Sequence, residues 1–448
     1  MADPPIQSAP TPKFAIITAI CALLLFGMIS GAALWMMVAI AAGLLIALNY
    51  FLTNTWATAT RSSRRGGDAE LAIGSDFEVE LSLTNGSKVP VLWLLVEDLL
   101  PSKAMSYDPP TLDVRGDRVR VLMLWGNETR KLTYNIACNR RGYFQVGPTI
   151  LETGDMMGLF RRYRVGNQPQ YVTVLPKVVP LTSYEIGSRR PIGEIRMREN
   201  IMDDPTRLRG IRQWEPGDPM RSVHWAATAR TGTLHSKVYE PSSIIGATLI
   251  LDLHQSTTPK HHEPVRSDLA ITAAASIATA LHESNEPVGM ATNARDAADR
   301  IRQEGWKGDH RVRGQAQAAA SMLDASERLR PIIQPPSRGP LHLKEIIRTL
   351  ARLERTDGLT LSELLVECES QLSAETTLLV ILQKATPDTI AALIGLERRG
   401  RAVAVIINTH DINDYSAIAG PLIAARIPTF HLASDEAIMD VCRQTLLR

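Results

Sequence analysis

Asp252 is the first position at which this sequence suggests a functional site. The apolar run Ala247 to Leu251 predicts a buried strand, and Asp252 follows at its carboxyl end. In an open α/β sheet, ligands bind beyond the carboxyl ends of the strands. His254 and Ser256 follow in the same loop, so polar side chains are available beside the aspartate.

Other residues with metal-binding or nucleophilic chemistry form no recognised pattern. His261, His262 and Glu263 are adjacent, but their spacing matches neither an HExxH motif nor a Cys/His zinc site. The sequence contains no P-loop and no G-x-S-x-G motif, so we predict no catalytic residue. The cysteines are far apart and are predicted to be reduced: Cys21, Cys138, Cys368 and Cys442.

The most densely patterned stretch runs from Arg209 to Pro241. Asp218 followed by Pro219 is typical of a helix N-terminus, and Gly232 is typical of a left-handed residue at a helix C-terminus. These signals predict a short helix that begins near Pro219 and ends near Thr231. Apolar and polar residues then alternate up to Pro241, which predicts a strand.

This stretch supplies a candidate partner-binding surface. Its members are Arg212, Trp214, Glu215, Gly217, Asp218, Arg221, Trp225, Arg230, Lys237, Tyr239 and Glu240. A structural interpretation buries Trp214 and Trp225 between domains and pairs the charged residues with each other. A functional interpretation places them on a docking surface, because Trp and Arg dominate binding hot spots. We favour burial for the tryptophans and leave both interpretations open for Arg221, Arg230 and Lys237.

The same residues carry a family resemblance. The run Trp214 to Asp218, with Thr228-Ala229-Arg230 and Tyr239-Glu240, resembles the signature of the domain-of-unknown-function family fifty-eight, and Arg141-Gly142-Tyr143 and Gly154-Asp155 extend the match. That family comprises membrane-anchored, von Willebrand A-like proteins that often accompany MoxR-type AAA+ ATPases. The resemblance implies an architecture more than a mechanism.

The resemblance also has an implication for metal binding at Asp252. Von Willebrand A domains hold a divalent cation with Asp-x-Ser-x-Ser, whereas this chain has His254 at the middle hydroxyl position. Mg²⁺ prefers oxygen ligands, and the loop after the predicted strand Thr377 to Leu382 offers Lys384 and no carboxylate. We expect either a degenerate Mg²⁺ site at Asp252 and Ser256 or, preferably, a metal-free pocket in which Asp252 pairs with a neighbour or caps a turn.

The N-terminal region predicts a membrane anchor. Residues 14–60 contain no Asp, Glu, Lys, Arg or His, which exceeds the roughly 20 apolar residues that one membrane-spanning helix needs. A turn at Ser30-Gly31 predicts a transmembrane hairpin with helices from Phe14 to Ile29 and from Ala32 to Leu52, although one long tilted helix is the alternative. Trp35, Tyr50 and Trp56 are candidate anchors at the membrane interface.

Basic residues flank this region on both sides. Lys13 precedes it, and Arg61, Arg64 and Arg65 follow it, so the positive-inside rule places both ends in the cytoplasm. We interpret these arginines as a topology signal rather than as a lipid-recognition site. The prediction is a multi-pass inner-membrane protein with cytoplasmic soluble domains, which contacts membrane lipid through the hairpin.

The fold class is therefore multi-domain. Val79, Leu81 and Leu83 begin a series of short alternating runs that predicts antiparallel strands, and later apolar runs alternate with helical patterns, which predicts a parallel, doubly wound sheet. The predicted regions are a disordered N-terminus at 1–13, the hairpin at 14–60, an immunoglobulin-like β-sandwich at 68–180, a connector with the signature stretch at 181–241, and an α/β domain at 242–448 that the resemblance implies is von Willebrand A-like. Residues 296–330 are expected to form a helical insertion.

Charge excludes a nucleic-acid partner at the level of the whole chain. The 49 basic and 47 acidic residues leave a net charge of +2 over 448 residues. We predict a membrane-tethered, non-enzymatic scaffold that recruits a cytoplasmic protein, by resemblance a MoxR-type AAA+ ATPase, for the assembly or maturation of a complex. A Mg²⁺-dependent adhesion-type receptor is the first alternative, and a hydrolase of unrecognised type is the second.

Overall fold

A computed structural model describes residues 7–8, 13–30, 33–101, 104–105, 108–155, 158–180, 203–215, 220, 223–241, 246–304, 329–372 and 376–439. The chain divides into two compact units. The first comprises Met1–Lys177, Arg295–Ser326 and Arg348–Glu354, and the second comprises Val178–Ala294, Glu327–Ile347 and Arg355–Arg448.

The first unit begins with two apolar helices, α1 (Lys13–Ser30) and α2 (Ala33–Ala59). Within the described residues, α2 is the helix that is long and apolar enough to cross a membrane. The end of α1 contacts the start of α2, because the Phe26 and Trp35 rings pack edge to face with their centroids 6.1 Å apart. A side chain at Gly27 would place its Cβ 3.0 Å from Met36 Cγ, so glycine allows this close approach.

Helix α2 continues to Ala59, beyond the predicted end at Leu52. Trp56, expected at a membrane interface, is 2% exposed and packs in the core of the first unit. Arg164 donates from Nη1 to the carbonyl oxygens of Ala57 at 3.3 Å and Thr58 at 3.4 Å. These carbonyls lack partners within a helix, and a cation at a helix C-terminus also favours the helix dipole. The helix end is therefore anchored in the β-strands that follow.

Three sheets form most of the rest of this unit. The first contains, in spatial order, β1 (Gln7–Ser8), β11 (Arg161–Asn167), β10 (Thr149–Gly154), β5 (Val91–Asp98) and β7 (Val119–Leu124). The second contains β2 (Thr60–Arg65), β4 (Asp76–Asn85), β8 (Thr129–Cys138) and β6 (Leu112–Arg115). The third contains β3 (Ala69–Ala72), β12 (Gln170–Leu175) and β9 (Gly142–Val146).

Alternating side chains of these strands meet in one apolar core. Val79, Leu81 and Leu83 of β4 are buried together with Leu94 of β5 and Val174 of β12, so all three sheets contribute to it. The alternation of apolar and polar residues thus places the apolar side chains of these strands in the core, as predicted. The unit is β-rich and is built from sheets around this hydrophobic core.

Two residues of the N-terminus differ from the expected disorder. Gln7 pairs with Tyr163 and Ser8 with Arg162, in an antiparallel ladder. Backbone hydrogen bonds to the edge of β11 stabilise this short strand, and such pairing needs no apolar pattern in the sequence. Most of the remainder of residues 1–13 lies outside the described residues.

Arg64, one of the basic residues that we interpreted as a topology signal, is buried in the structure. It pairs with Asp98 inside the first unit, and the two side chains are 2% and 0% exposed. Its Nη1 also donates to the Val146 carbonyl at 2.6 Å, and Tyr134 donates its hydroxyl proton to Asp98 at 2.5 Å. Strand β2 follows α2 directly. Its residues alternate between exposed and more buried positions, and Arg64 lies on the side that faces the core.

The second unit contains a six-stranded sheet. In spatial order its strands are β18 (Ile332–Ser337), β16 (Val288–Thr292), β15 (Ala247–Leu251), β20 (Thr377–Leu382), β21 (Val403–Ile407) and β22 (Thr429–His431). Five strands are parallel and β18 is antiparallel at the edge. The strands predicted from continuous apolar runs are therefore present.

Helices separate these strands along the chain. Their bounds are α4 (Val265–Glu283), α6 (Pro340–Arg352), α7 (Leu361–Cys368), α8 (Pro387–Arg398) and α9 (Ile412–Ala424). Ile250, Val380 and Val405 share a core cluster with α7, α8 and α9. Leu251 and Ile381 are also buried and, by strand alternation, face the opposite side, where α4 packs. Helices cover both faces, which is the doubly wound arrangement.

The remaining elements are short. Strands β13 (Asp203–Gln213) and β14 (His235–Pro241) form a hairpin that contains helix α3 (Trp225–Thr231). Strands β17 (Arg295–Asp296) and β19 (Leu353–Glu354) pair within the first unit, and α5 (Ala297–Glu304) follows β17. Helix α5 occupies the start of the predicted insertion at 296–330. Residues 305–328 of this insertion lie outside the described part of the chain.

Candidate functional site

The signature stretch forms an antiparallel hairpin. Ile211 pairs with Lys237 and Arg212 with Ser236, so the strand predicted after Gly232 is present as β14. Its partner β13 lies mostly in the stretch that we expected to be an extended connector. Backbone pairing with β14 holds this polar, arginine-rich segment extended although its side chains lack alternation.

Helix α3 begins later than predicted, at Trp225 rather than near Pro219. Val223 forms an antiparallel bridge with Ser236 and is 2% exposed, so the chain is extended where we expected a helix. The His224 ring nitrogen Nδ1 then accepts from the Ala227 backbone N–H at 3.0 Å and caps the helix. The predicted end is confirmed, because Gly232 has φ of 73° and its N–H donates to the Thr228 carbonyl.

Trp225 is exposed rather than buried. Its exposed fraction is 64%, and no residue of α3 is buried. The expectation that this tryptophan forms core is therefore wrong, because the late start of the helix puts the ring on the outer side of a short element. Trp214 is half-buried, and its backbone N–H donates to the Leu234 carbonyl at 2.9 Å.

The charged members of the stretch lie near the surface. Arg212 and Glu215 form an ion pair with an N···O distance of 3.4 Å and side-chain exposures of 44% and 76%. Arg230 is exposed in the last turn of α3, and Lys237 is half-buried on β14. These described members thus comprise three basic residues and one acidic residue.

The other members can be placed only in part. Tyr239 and Glu240 are residues of strand β14. Gly217, Asp218 and Arg221 lie outside the described residues. Their predicted roles stay predictions.

Asp252 lies at the carboxyl end of β15 and is 3% exposed. Its Oδ1 accepts from Asn293 Nδ2 at 2.8 Å and from the His254 backbone N–H at 3.1 Å, and its Oδ2 accepts from Thr257 Oγ1 at 2.7 Å. Burial raises the pKa of Asp252, although these hydrogen bonds oppose the shift. The carboxylate links the loop after β15 to the loop after β16 at the edge of the sheet.

Ser256 is directed towards His254. Its Oγ lies 2.7 Å from His254 Nδ1, and its backbone N–H donates to the same ring nitrogen at 3.2 Å. Within the described part of the chain, no three His, Cys, Asp or Glu side chains are grouped so that they could hold a metal. Mg²⁺ prefers near-octahedral oxygen coordination, and here Asp252 already accepts from Asn293 and Thr257. The geometry corresponds to the turn-capping alternative, and Mg²⁺ binding stays a prediction to be tested.

A cationic cluster lies at the same edge of the sheet. Its members are His261, His262, Arg266, Lys384 and His410. The His262 ring centroid is 3.9 Å from that of His261 and 5.5 Å from that of His410. Partial burial and the neighbouring cations lower the pKa of His262, and burial and Arg266 lower the pKa of His410.

Arg266 was missed by sequence reasoning. It is 1% exposed, and its Nη1 donates to Asn408 Oδ1 at 2.9 Å and to the Leu432 carbonyl at 3.2 Å. These partners follow β21 and β22, far from α4 in the sequence. The available signal was a charged residue in the first turn of an otherwise apolar helix, and that signal does not identify the partners.

The described cysteines are unpaired, as expected. Cys138 and Cys368 are buried and Cys21 is exposed. Burial raises the pKa of Cys138 and of Cys368 to about 11, so these thiols are protonated at neutral pH. Cys442 lies outside the described residues.

The chain combines two apolar N-terminal helices, a β-rich unit, and a second unit that contains the parallel sheet and the signature hairpin. Residues 210–313 match the family described as "Protein of unknown function DUF58". The chain thus carries a DUF58-family domain, and the resemblance drawn from the signature residues is confirmed there.

A curated relative supports the same assignment. The uncharacterized protein YeaD of Bacillus subtilis (strain 168) is 22% identical over 197 residues, which cover 44% of this chain and 48% of YeaD. The chain therefore matches about half the length of that relative.

Similarity to solved structures is low. The CARDB domain of the PF1109 protein from Pyrococcus furiosus, solved with di-metal ions, is 14% identical and matches 26% of this chain and 91% of its own, with a TM-score of 0.17. A β-glucosidase from Listeria innocua is 14% identical and matches 26% of this chain and 16% of its own, with a TM-score of 0.18. TM-scores this low carry no argument about fold or function.

Proposed function

We propose that this protein is a membrane-tethered, non-enzymatic adaptor whose signature hairpin recruits a cytoplasmic protein. The observation that carries the proposal is the exposure of α3. A helix of seven residues is unstable alone, and this one buries none of its side chains. Its caps and its hydrogen bonds to β14 hold it in place, so its outward face contributes recognition rather than core stability.

The composition of that face fits a protein partner. Trp225 is 64% exposed, and Ile211 and Met220 of the same stretch are 43% and 59% exposed. Arg230 adds an exposed cation. Exposed tryptophan and arginine are the residues most enriched in binding hot spots. An acidic, partly apolar surface would complement this face, and by resemblance the partner is a MoxR-type AAA+ ATPase.

Membrane tethering is supported by the way in which helix α2 is fixed to the β-strands of the first unit. The buried Trp56 and the contacts from Arg164 hold the end of α2 in the first unit, and β1 precedes α1 while pairing with β11 of the same unit. The chain thus leaves the β-strands of this unit before α1 and returns to them at the end of α2. That path supports a transmembrane hairpin with both ends on one side, which the basic flanks place in the cytoplasm.

The finer fold assignments form part of this proposal. The β-rich unit is proposed to be an immunoglobulin-like sandwich. The α/β unit is proposed to be von Willebrand A-like, because the family resemblance implies that fold and the unit has a mostly parallel sheet with helices on both faces. Domains of both types serve as binding modules, which suits an adaptor that assists complex assembly or maturation.

The test is capture of an AAA+ protein from membranes by the full chain, with and without nucleotide. Trp225→Ala should abolish capture. Trp125→Ala is the matched control, because Trp125 is 61% exposed but lies in the other unit, and it should leave capture unchanged. Equal capture by wild type and Trp225→Ala, or no AAA+ protein under any nucleotide condition, would contradict the proposal.

A further inference from the structure

Arg266 is a buried arginine with unused hydrogen-bond donors. Nη1 donates to Asn408 and to the Leu432 carbonyl, whereas Nε and Nη2 are buried without a partner. A guanidinium group carries five N–H donors and remains charged in proteins. Burial of charged donors without partners is costly, so this arrangement favours a ligand that satisfies them.

The described contacts of Arg266 include no counter-charge. Its two acceptors are a side-chain amide oxygen and a backbone carbonyl, both neutral. Glu263 is nearby in the sequence, but its Oε1 accepts from Gln383 Nε2 at 3.0 Å, and no contact with Arg266 is present among the described residues. The positive charge is therefore uncompensated within the described fold.

Further basic side chains surround this position. His262 and His410 lie with their ring centroids 5.5 Å apart, and the positive charges of Arg266 and Lys384 both act on His262. Lys384 and His410 are exposed, whereas Arg266 is buried. Helix α4, with 19 residues, begins at this edge, and its N-terminal dipole favours an anion. The cluster combines a buried guanidinium with a solvent-accessible cationic rim.

We propose that Arg266, His262, His410 and Lys384 bind an oxyanion, a phosphate or a carboxylate group, at the carboxyl edge of the α/β sheet. Nε and Nη2 form one edge of the guanidinium, which matches two oxygens of such a group in a bidentate pair. The site is separate from Asp252, whose oxygens accept hydrogen bonds from other residues. It does not depend on the adaptor role.

Calorimetric titration of the full chain in detergent tests this site. The probes are inorganic phosphate and acetate, with chloride at the same ionic strength as the reference. We expect saturable binding with one ion per chain for at least one probe. Tighter binding of phosphate would identify a phosphoryl group as the natural ligand, and tighter binding of acetate would identify a carboxylate.

Variants separate specific binding from general charge. Arg266→Lys retains the charge but loses the bidentate edge, and it should weaken binding roughly tenfold or more. Lys384→Ala tests the rim and should weaken binding several-fold, and it remains informative if Arg266→Lys does not fold. Arg398→Ala is the matched control, because Arg398 is an exposed cation at the far end of α8, and it should have no effect.

Two results would overturn the proposal. One is no saturable binding of either probe to the wild type. The other is unchanged affinity in both Arg266→Lys and Lys384→Ala. Glu263→Gln addresses a competing assignment in which Glu263 neutralises Arg266: markedly tighter anion binding in this variant would identify Glu263 as the counter-charge and contradict the proposal, whereas unchanged affinity supports it.

Discussion

Arg64 and Asp98 form an ion pair in the core of the first unit, where their side chains are 2% and 0% exposed. Thr149 Oγ1 donates to Asp98 at 3.0 Å and Tyr134 donates to it at 2.5 Å, so the carboxylate is fully engaged. Burial and the Asp98 charge raise the pKa of Tyr134, which keeps its hydroxyl protonated as the donor. Arg64, in the strand that directly follows the apolar helices, is thus part of the core of the first unit.

Removal of one partner of this pair should be strongly destabilising. Asp98→Ala leaves the Arg64 guanidinium buried without its counter-charge, and we expect a loss of about 3–5 kcal/mol in the free energy of unfolding. Urea denaturation measures the change. Asp113→Ala is the control, because Asp113 pairs with Arg115 at 43% and 63% exposure, and it should cost at most about 1 kcal/mol. Equal losses in the two variants would refute a structural role for the buried pair.

Two tryptophans should respond in opposite ways to truncation. Trp56→Ala removes a core side chain at the end of α2 and should destabilise the protein by about 3–5 kcal/mol. Trp225→Ala removes an exposed ring and should change stability by no more than about 0.5 kcal/mol. Thermal unfolding of the two purified variants distinguishes these outcomes. A large loss for Trp225→Ala would mean that α3 is part of a core in solution.

Asp252 should contribute to stability with or without a metal. Asp252→Ala leaves Asn293 and Thr257 without their acceptor, and we expect a loss of about 1–3 kcal/mol. That loss should be the same in EDTA and in excess Mg²⁺, because the carboxylate oxygens already accept hydrogen bonds from the protein. Stabilisation of the wild type by Mg²⁺ that disappears in Asp252→Ala would instead support the metal-dependent receptor.

The histidines of the cationic cluster should make stability depend on pH. The pKa values of His262 and His410 are lowered in the folded state from about 6.5, so the unfolded chain binds more protons in the window just below that value. Stability should therefore fall as the pH decreases from about 7.5 to below 6.5. His262→Gln with His410→Gln should flatten this dependence, as measured by unfolding temperature against pH. An unchanged pH profile in the double variant would exclude these rings as its source.

Local sequence patterns were sufficient for much of the fold. Continuous apolar runs identified the parallel strands, alternation identified strands of the β-rich unit, and Gly232 identified the end of α3. These features depend on the periodicity of strands and helices and on the conformational freedom of single residues. Both can be read from a short stretch of sequence. The signature residues likewise identified the family segment that the comparisons confirm.

Burial could not be read from the same patterns. Arg61 and Arg64 lie in one basic run, yet Arg61 is exposed and Arg64 reaches Asp98 in the core. Trp56 lies in a core and Trp225 is exposed, both contrary to expectation. Arg266 meets Asn408 only because the start of α4 and the end of β21 lie at one edge of the sheet. The apolar run, the strand periods and the helix end follow from the order of residues alone. Which charges and rings lie inside depends on contacts between residues distant in sequence, which exist only once the chain has folded.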